Sequence, residues 1–144
     1  MENKSSKETK ISVLLHYLEQ IIKKRVEICH SINVYDKNIV ERYYNTLKLI
    51  NEVIPLLVFL GKITGFSDIR YQTISDKVAH TINICSCRYF NFSEDNDVYK
   101  NGLNLIEHAN AIAHSKYVKD LCEENLNICL SHIPKNVSHL NAEV

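Results

Sequence analysis

The sequence predicts an all-α fold, a compact bundle of about five to six helices. Three observations lead there. The 144 residues include only three Gly and two Pro, too few turn formers for the many short strands of an all-β chain. Apolar residues recur every three or four positions through several long segments, the period of a helix with one buried face. The stretch Tyr43 to Gly61, YYNTLKLINEVIPLLVFLG, carries apolar residues at 43, 47, 50, 54, 57 and 60 and is apolar throughout from Val53 to Leu60. A helix apolar all round has no face for water. This stretch is therefore expected to be the central element, kinked or broken at Pro55, with amphipathic helices laid around it. Its unbroken apolar run of eight residues is far short of the roughly 18 to 20 that span a bilayer, so no membrane span is expected.

Taken in order, residues 1–9 read as a disordered leader, residues 10–133 as a single α-helical domain, and residues 134–144 as a flexible tail. The first helix is expected from Lys10 to His30, with Ile11, Leu14, Leu15, Leu18, Ile22, Val26 and Cys29 on its buried stripe. Ser31 to Tyr35 reads as a linker and Asp36 as the next N-cap. A second helix enters the central stretch, and Gly61 and Gly65 supply its stop. A third, Ser67 to Phe90, buries Tyr71, Ile74, Val78, Ile82, Cys85 and Tyr89, with Ser67 or Asp68 as its cap. Asn91 to Tyr99 reads as a polar loop, after which Asn101-Gly102 precedes a shorter helix ending near His114. Its buried side is Leu103, Ile106, Ala109, Ile112 and Ala113. Ser115 caps a last helix, with Val118, Leu121, Cys122, Leu126, Cys129 and Ile133 inward, and Pro134 ends it.

Composition narrows the function classes. Net charge is zero, so no global basic field captures nucleic acid. The charge is unevenly spread: residues 1–90 hold 13 Lys+Arg against 9 Asp+Glu, and residues 91–144 hold 4 against 8. The polar start, with Glu2 and Glu8, matches neither a secretory signal nor a transit peptide. Five Cys in that context read as reduced thiols, and the expected compartment is cytoplasmic, intracellular and reducing.

Two self-similarities stand out. Asp76…Asn83-Ile84-Cys85 matches Asp120…Asn127-Ile128-Cys129, and Leu47-x-Leu49-Ile50 matches Leu103-x-Leu105-Ile106. Their offsets, 44 and 56, differ, whereas a regular repeat array has one period.

No spacing completes a catalytic or metal set. Cys85-Ser-Cys87 is the one close Cys pair, and on a helix its thiols point to different sides. No second C-x-x-C or H-x-x-x-H supplies four ligands, so neither metal nor cofactor is expected. Glu27-x-x-His30 has the Glu-x-x-His spacing of ferritin-like di-iron bundles, without the second motif such sites need. Glu107, His108 and His114 form a polar cluster with no nucleophile beside it. No phosphate-binding Gly-rich loop or nucleophile elbow occurs.

Three readings of function follow. The first is a non-enzymatic α-helical protein–protein interaction module: an adaptor, an inhibitor or a small subunit of a larger complex. Its partner is another protein or a second copy. Tyr43, Tyr44, Tyr99 and Tyr117 are the candidate anchors, because a chain without Trp and with one Met has Tyr as its main amphipathic contact residue. A central apolar helix wrapped by amphipathic ones is also loosely similar to Bcl-2-like proteins, whose Asn-Trp-Gly-Arg signature is absent here. The second reading is enzymatic. Arg25-x-x-x-x-His30 resembles the Arg-x4-6-His spacing of HEPN-type ribonucleases. That resemblance would make His30 the general acid/base and Arg25 the phosphate stabiliser, although the family's motif usually lies in later helices. In the third, the hairpin Gly102 to Ile133 resembles those of tetratricopeptide arrays and would form a peptide-binding fragment. The hallmark Trp, Gly and Pro positions of those arrays are not matched. The balance of motifs leans away from an enzyme.

Overall fold

The structure is a computed structural model and describes residues 4–35, 39–91 and 96–133. Among them there are five helices and no strand: α1 (Lys4–Tyr35), α2 (Ile39–Thr64), α3 (Ile69–Asn91), α4 (Asn96–Ile112) and α5 (Lys116–His132). They share one apolar core. α3 packs against all four other helices, and α2 also packs against α1 and α4, and α4 against α5. α1 touches neither α4 nor α5, and α2 does not touch α5. These contacts define two layers, α1–α3–α5 and α2–α4.

The apolar stretch that announces the fold lies in α2, where Val53, Leu57 and Leu60 are fully buried. It is not enclosed on every side, since Val58 and Phe59 are exposed. α2 belongs to the two-helix layer and keeps one face toward solvent. The helix in contact with all the others is α3, whose central position was masked by polar residues. Thr81, Asn83, Ser75 and Ser86 are all buried in it. Thr81 and Ser86 donate to the carbonyls of Lys77 and Ile82 in their own helix, so burial leaves their hydroxyls satisfied.

Several element boundaries differ from the expected ones. α1 starts at Lys4 and ends at Tyr35, so residues 4–9 are helical and not a disordered leader, and 31–35 continue the helix. Extending a nucleated helix adds one hydrogen bond per residue fixed, and residues 4–14 continue it without burying a side chain. α1 and α2 run antiparallel, with Arg25 paired to Glu52 and the Cys29 thiol against the Asn45 carbonyl. Counting from those pairs, Ile11 falls opposite residues 63–66, at the end of α2. Ile11 and Leu14 are exposed, whereas Leu15, Leu18, Ile22, Val26 and Cys29 are buried as expected. Asp36 and the tail 134–144 lie outside the described residues.

α2 runs through Pro55 without ending. Proline cannot bond the carbonyl of residue 51, and both Asn51 and Pro55 lie on the exposed side of the helix. The helix also passes Gly61. Its stop is Gly65 alone, at φ 92°, whose N–H donates to the Gly61 carbonyl (2.8 Å) in a left-handed C-terminal turn. Asp68 caps α3 by accepting from the Arg70 N–H (2.8 Å), and all six expected apolar positions of α3 are buried.

α4 starts at Asn96, so Asn101-Gly102 lies within the helix and does not precede it. Gly102 is buried in the helix, where a methyl group would sit 2.9 Å from Phe90 Cδ1 and 3.5 Å from Cys129 Sγ. The glycine is there for close approach of three helices. Gly102→Ala gains roughly 1 kcal/mol of helix propensity but overpacks against a buried ring, at a cost of roughly 1–3 kcal/mol. A lower urea midpoint is the expected result, and a higher one would mean that the Phe90 ring yields.

The turn into α5 is fixed from α3. Asp76 accepts from the backbone N–H of His114 (2.6 Å) and of Ser115 (3.0 Å). The Ser115 hydroxyl in turn accepts from the Val118 N–H (3.3 Å), as the expected N-cap. The Ser75 hydroxyl donates to the Ile112 carbonyl (2.6 Å), and Asn125 donates to Asn83 (3.2 Å). Polar bonds thus set the register of the α4–α5 hairpin on α3. Among the described residues, no helix is long and apolar enough to cross a membrane.

Candidate functional site

Arg25 and His30 are not brought together. Arg25 lines a small cleft between α1 and α2 with Cys29, Asn45, Leu49 and Glu52, and it is ion-paired to Glu52 at the rim. Both partners are more than a third exposed, so the pair adds at most about 1 kcal/mol. The cleft holds about 110 Å³, below the roughly 300 Å³ where small-molecule sites begin. His30 is exposed and outside its lining. Glu27 is exposed too.

The tyrosines divide. Tyr43 packs on Tyr89 (ring centroids 5.4 Å apart), and Tyr99 stacks on His132 at 4.4 Å; both are half-buried and support the core. Tyr44 and Tyr117 are exposed, at 62% and 67%. They lie apart, Tyr44 near the α3 end that carries Tyr89 and Tyr117 beside His80. The Glu107–His108–His114 cluster is also dispersed. Glu107 is exposed, His108 Nδ1 bonds the Asn104 carbonyl (2.8 Å), and His114 lies past the end of α4 with its ring against Tyr71.

The thiols are built into the core. Cys85 faces Cys29, and the hydrogen bond between them, with burial, raises its pKa. Cys87 turns the other way, toward α5. Burial pushes Cys87, Cys122 and Cys129 up to about 11. Such thiols are protonated at neutral pH and chemically quiet. Among the described residues, no group of three His, Cys, Asp or Glu is placed to hold a metal.

What remains is the outer face of the α1–α3–α5 layer. The outward stripe of α3 is Arg70, Thr73 and Lys77, all exposed, followed by the half-buried His80 and Ile84, spaced three or four apart. On the α1 side this stripe forms the wall of a groove of about 340 Å³, lined by Glu19 and Lys23 from α1 and by Ile69, Arg70, Thr73, Ile74 and Lys77 from α3. Its lining holds three cations, one carboxylate and two isoleucines, and Arg70 is ion-paired to Asp68 (3.9 Å) just outside it. Lys23 and Lys77 make no ion pair among the described residues, and Ile69 is 74% exposed.

On the α5 side the sign reverses. Tyr117, Asp120, Glu124 and Ile128 recur at helical spacing along an exposed stripe. Tyr117 lies beside His80, and the Glu124 charge reaches Cys87 of α3, which places the stripe next to α3. Lys116 neutralises Asp120 (2.7 Å), and Glu124 makes no ion pair among the described residues.

No family model, characterised protein or solved structure matches this chain.

Two side-chain polar atoms are buried without a hydrogen bond among the described residues, His80 Nδ1 and Arg88 Nη1. Both belong to α3, and His80 is on the outward stripe. Of the residues forming this face, sequence reasoning singled out only Tyr117. The available signal was the second period of α3: Arg70, Thr73, Lys77, His80 and Ile84 repeat as regularly as the apolar set, on another side of the helix.

Proposed function

We propose that the chain is a non-enzymatic protein–protein interaction module, an adaptor, inhibitor or small subunit, that docks partners on the outer face of its α1–α3–α5 layer. One observation carries the reading: this face joins a 340 Å³ groove to exposed apolar anchors at Ile69 and Tyr117 and separates positive from negative charge. Protein interfaces combine such elements, anchors giving affinity and charge giving orientation. The buried thiols fit a reducing, cytosol-like compartment.

The test is affinity capture from the cells that make the protein, with mass-spectrometric identification, comparing wild type with Ile69→Asp and Tyr117→Asp. Both positions are exposed, so the fold is retained, and capture is expected to fall about tenfold or more in each variant. Equal capture by all three proteins would sink the reading.

A second reading, a helical-repeat fragment that binds peptides, has its own support. Helices touch only chain neighbours and next neighbours, as in stacked arrays. The two internal matches pair α3 with α5 and α2 with α4, helices of the same layer. It would place an extended peptide in the same groove.

A further inference from the structure

We propose that the occupant of the α1–α3–α5 face is a second copy of this chain, related by a two-fold axis near the middle of α3. The proposal rests on the interaction-module reading and names the partner of that same face.

Three observations favour a second copy. First, the face is complementary to itself. Lys23 and Lys77 lie on its α1 side, beside an Arg70 already paired to Asp68, and Glu124, with Tyr117 and Ile128, on its α5 side. Rotating a copy by 180° about an axis through α3 sets the basic groove of each protomer over the acidic stripe of the other. Such an isologous contact uses one patch twice and closes at the dimer. Second, the chain has zero net charge, so no long-range repulsion opposes two copies, while opposite-sign patches steer their approach. Third, the size fits. α3 has 23 residues, roughly 34 Å at 1.5 Å per residue. A three-helix layer at the usual spacing is roughly 20 Å between its outer axes. The resulting face, roughly 700 Å², is near the ~800 Å² per partner of a standard interface.

The experiment is sedimentation equilibrium of the full chain at several concentrations, at about 50 and 500 mM salt, where screening of exposed charges differs strongly. The expected species at low salt has twice the 16.7 kDa of the chain, and its dissociation constant rises about tenfold or more at high salt. Two variants are then compared, Lys23→Glu/Lys77→Glu and Asp120→Lys/Glu124→Lys, with circular dichroism to show that each is folded. Each alone is expected to be monomeric, since like charges then meet at both contacts. Mixed in equal amounts they are expected to recover the dimer mass, because every contact again joins opposite signs.

A chain that stays at 16.7 kDa under all conditions overturns the proposal. So does a dimer indifferent to salt and to both variants, which would lie on another face. Recovery of another protein, or of RNA, on this face by a chain that remains monomeric also overturns it. In the protein case the interaction-module reading stands, since it depends only on loss of capture in Ile69→Asp and Tyr117→Asp.

Discussion

Ile82→Ala is expected to destabilise the protein by about 2–5 kcal/mol, the range for truncating a fully buried isoleucine. Ile82 has no exposed surface and sits midway along the helix that touches every other. A cavity there would lie in the helix on which all the others pack, and close packing leaves little room for it to collapse. Ile84→Ala is the matched control. Ile84 lies two residues away on the outward stripe and is only half-buried, and its loss is expected to be no more than about 1 kcal/mol, close to surface behaviour. Urea unfolding followed by circular dichroism measures both. Equal midpoints would contradict the central role given to α3.

The second large effect is expected at Asp76. Its carboxylate is the acceptor for the His114 and Ser115 amides and a negative charge at the start of α5. Asp76→Ala leaves both donors without that partner and removes the favourable interaction with the helix dipole. The combined cost is about 1–3 kcal/mol. The loss should be local: hydrogen exchange of amides 114–118 should accelerate more than that of amides in α2. Asp76→Asn keeps an oxygen acceptor and is expected to recover part of the protection. Uniform acceleration through all five helices would show that the capped turn is not a separable unit.

The fold class was legible because helical apolar periodicity is a strong local signal and because Gly and Pro are scarce. The buried stripe of α3 could be read position by position. The centre was harder to find. Hydropathy favoured α2, since Val53 to Leu60 is uniformly apolar, whereas α3 interleaves its apolar residues with Ser75, Thr81, Asn83 and Ser86. Burial of those residues depends on hydrogen bonds, such as Ser75 to the Ile112 carbonyl, and composition does not display them. Asn101-Gly102 was expected to precede the fourth helix; the need of Gly102 for close approach to Phe90 exists only once three helices are assembled. The candidate face was partly visible, in the split of charge between the two parts of the chain and in Tyr117. The groove itself joins α1 residues to α3 residues some 50 positions later, a juxtaposition that local periodicity does not encode.

The pattern of helix contacts has a kinetic consequence. Every contacting pair is one or two helices apart along the chain, so no early step has to close a loop spanning the whole molecule. Chains dominated by local contacts fold in microseconds to milliseconds. The protein is therefore built to zip up from either end, and α1 with α2 need not wait for α5 to be synthesised.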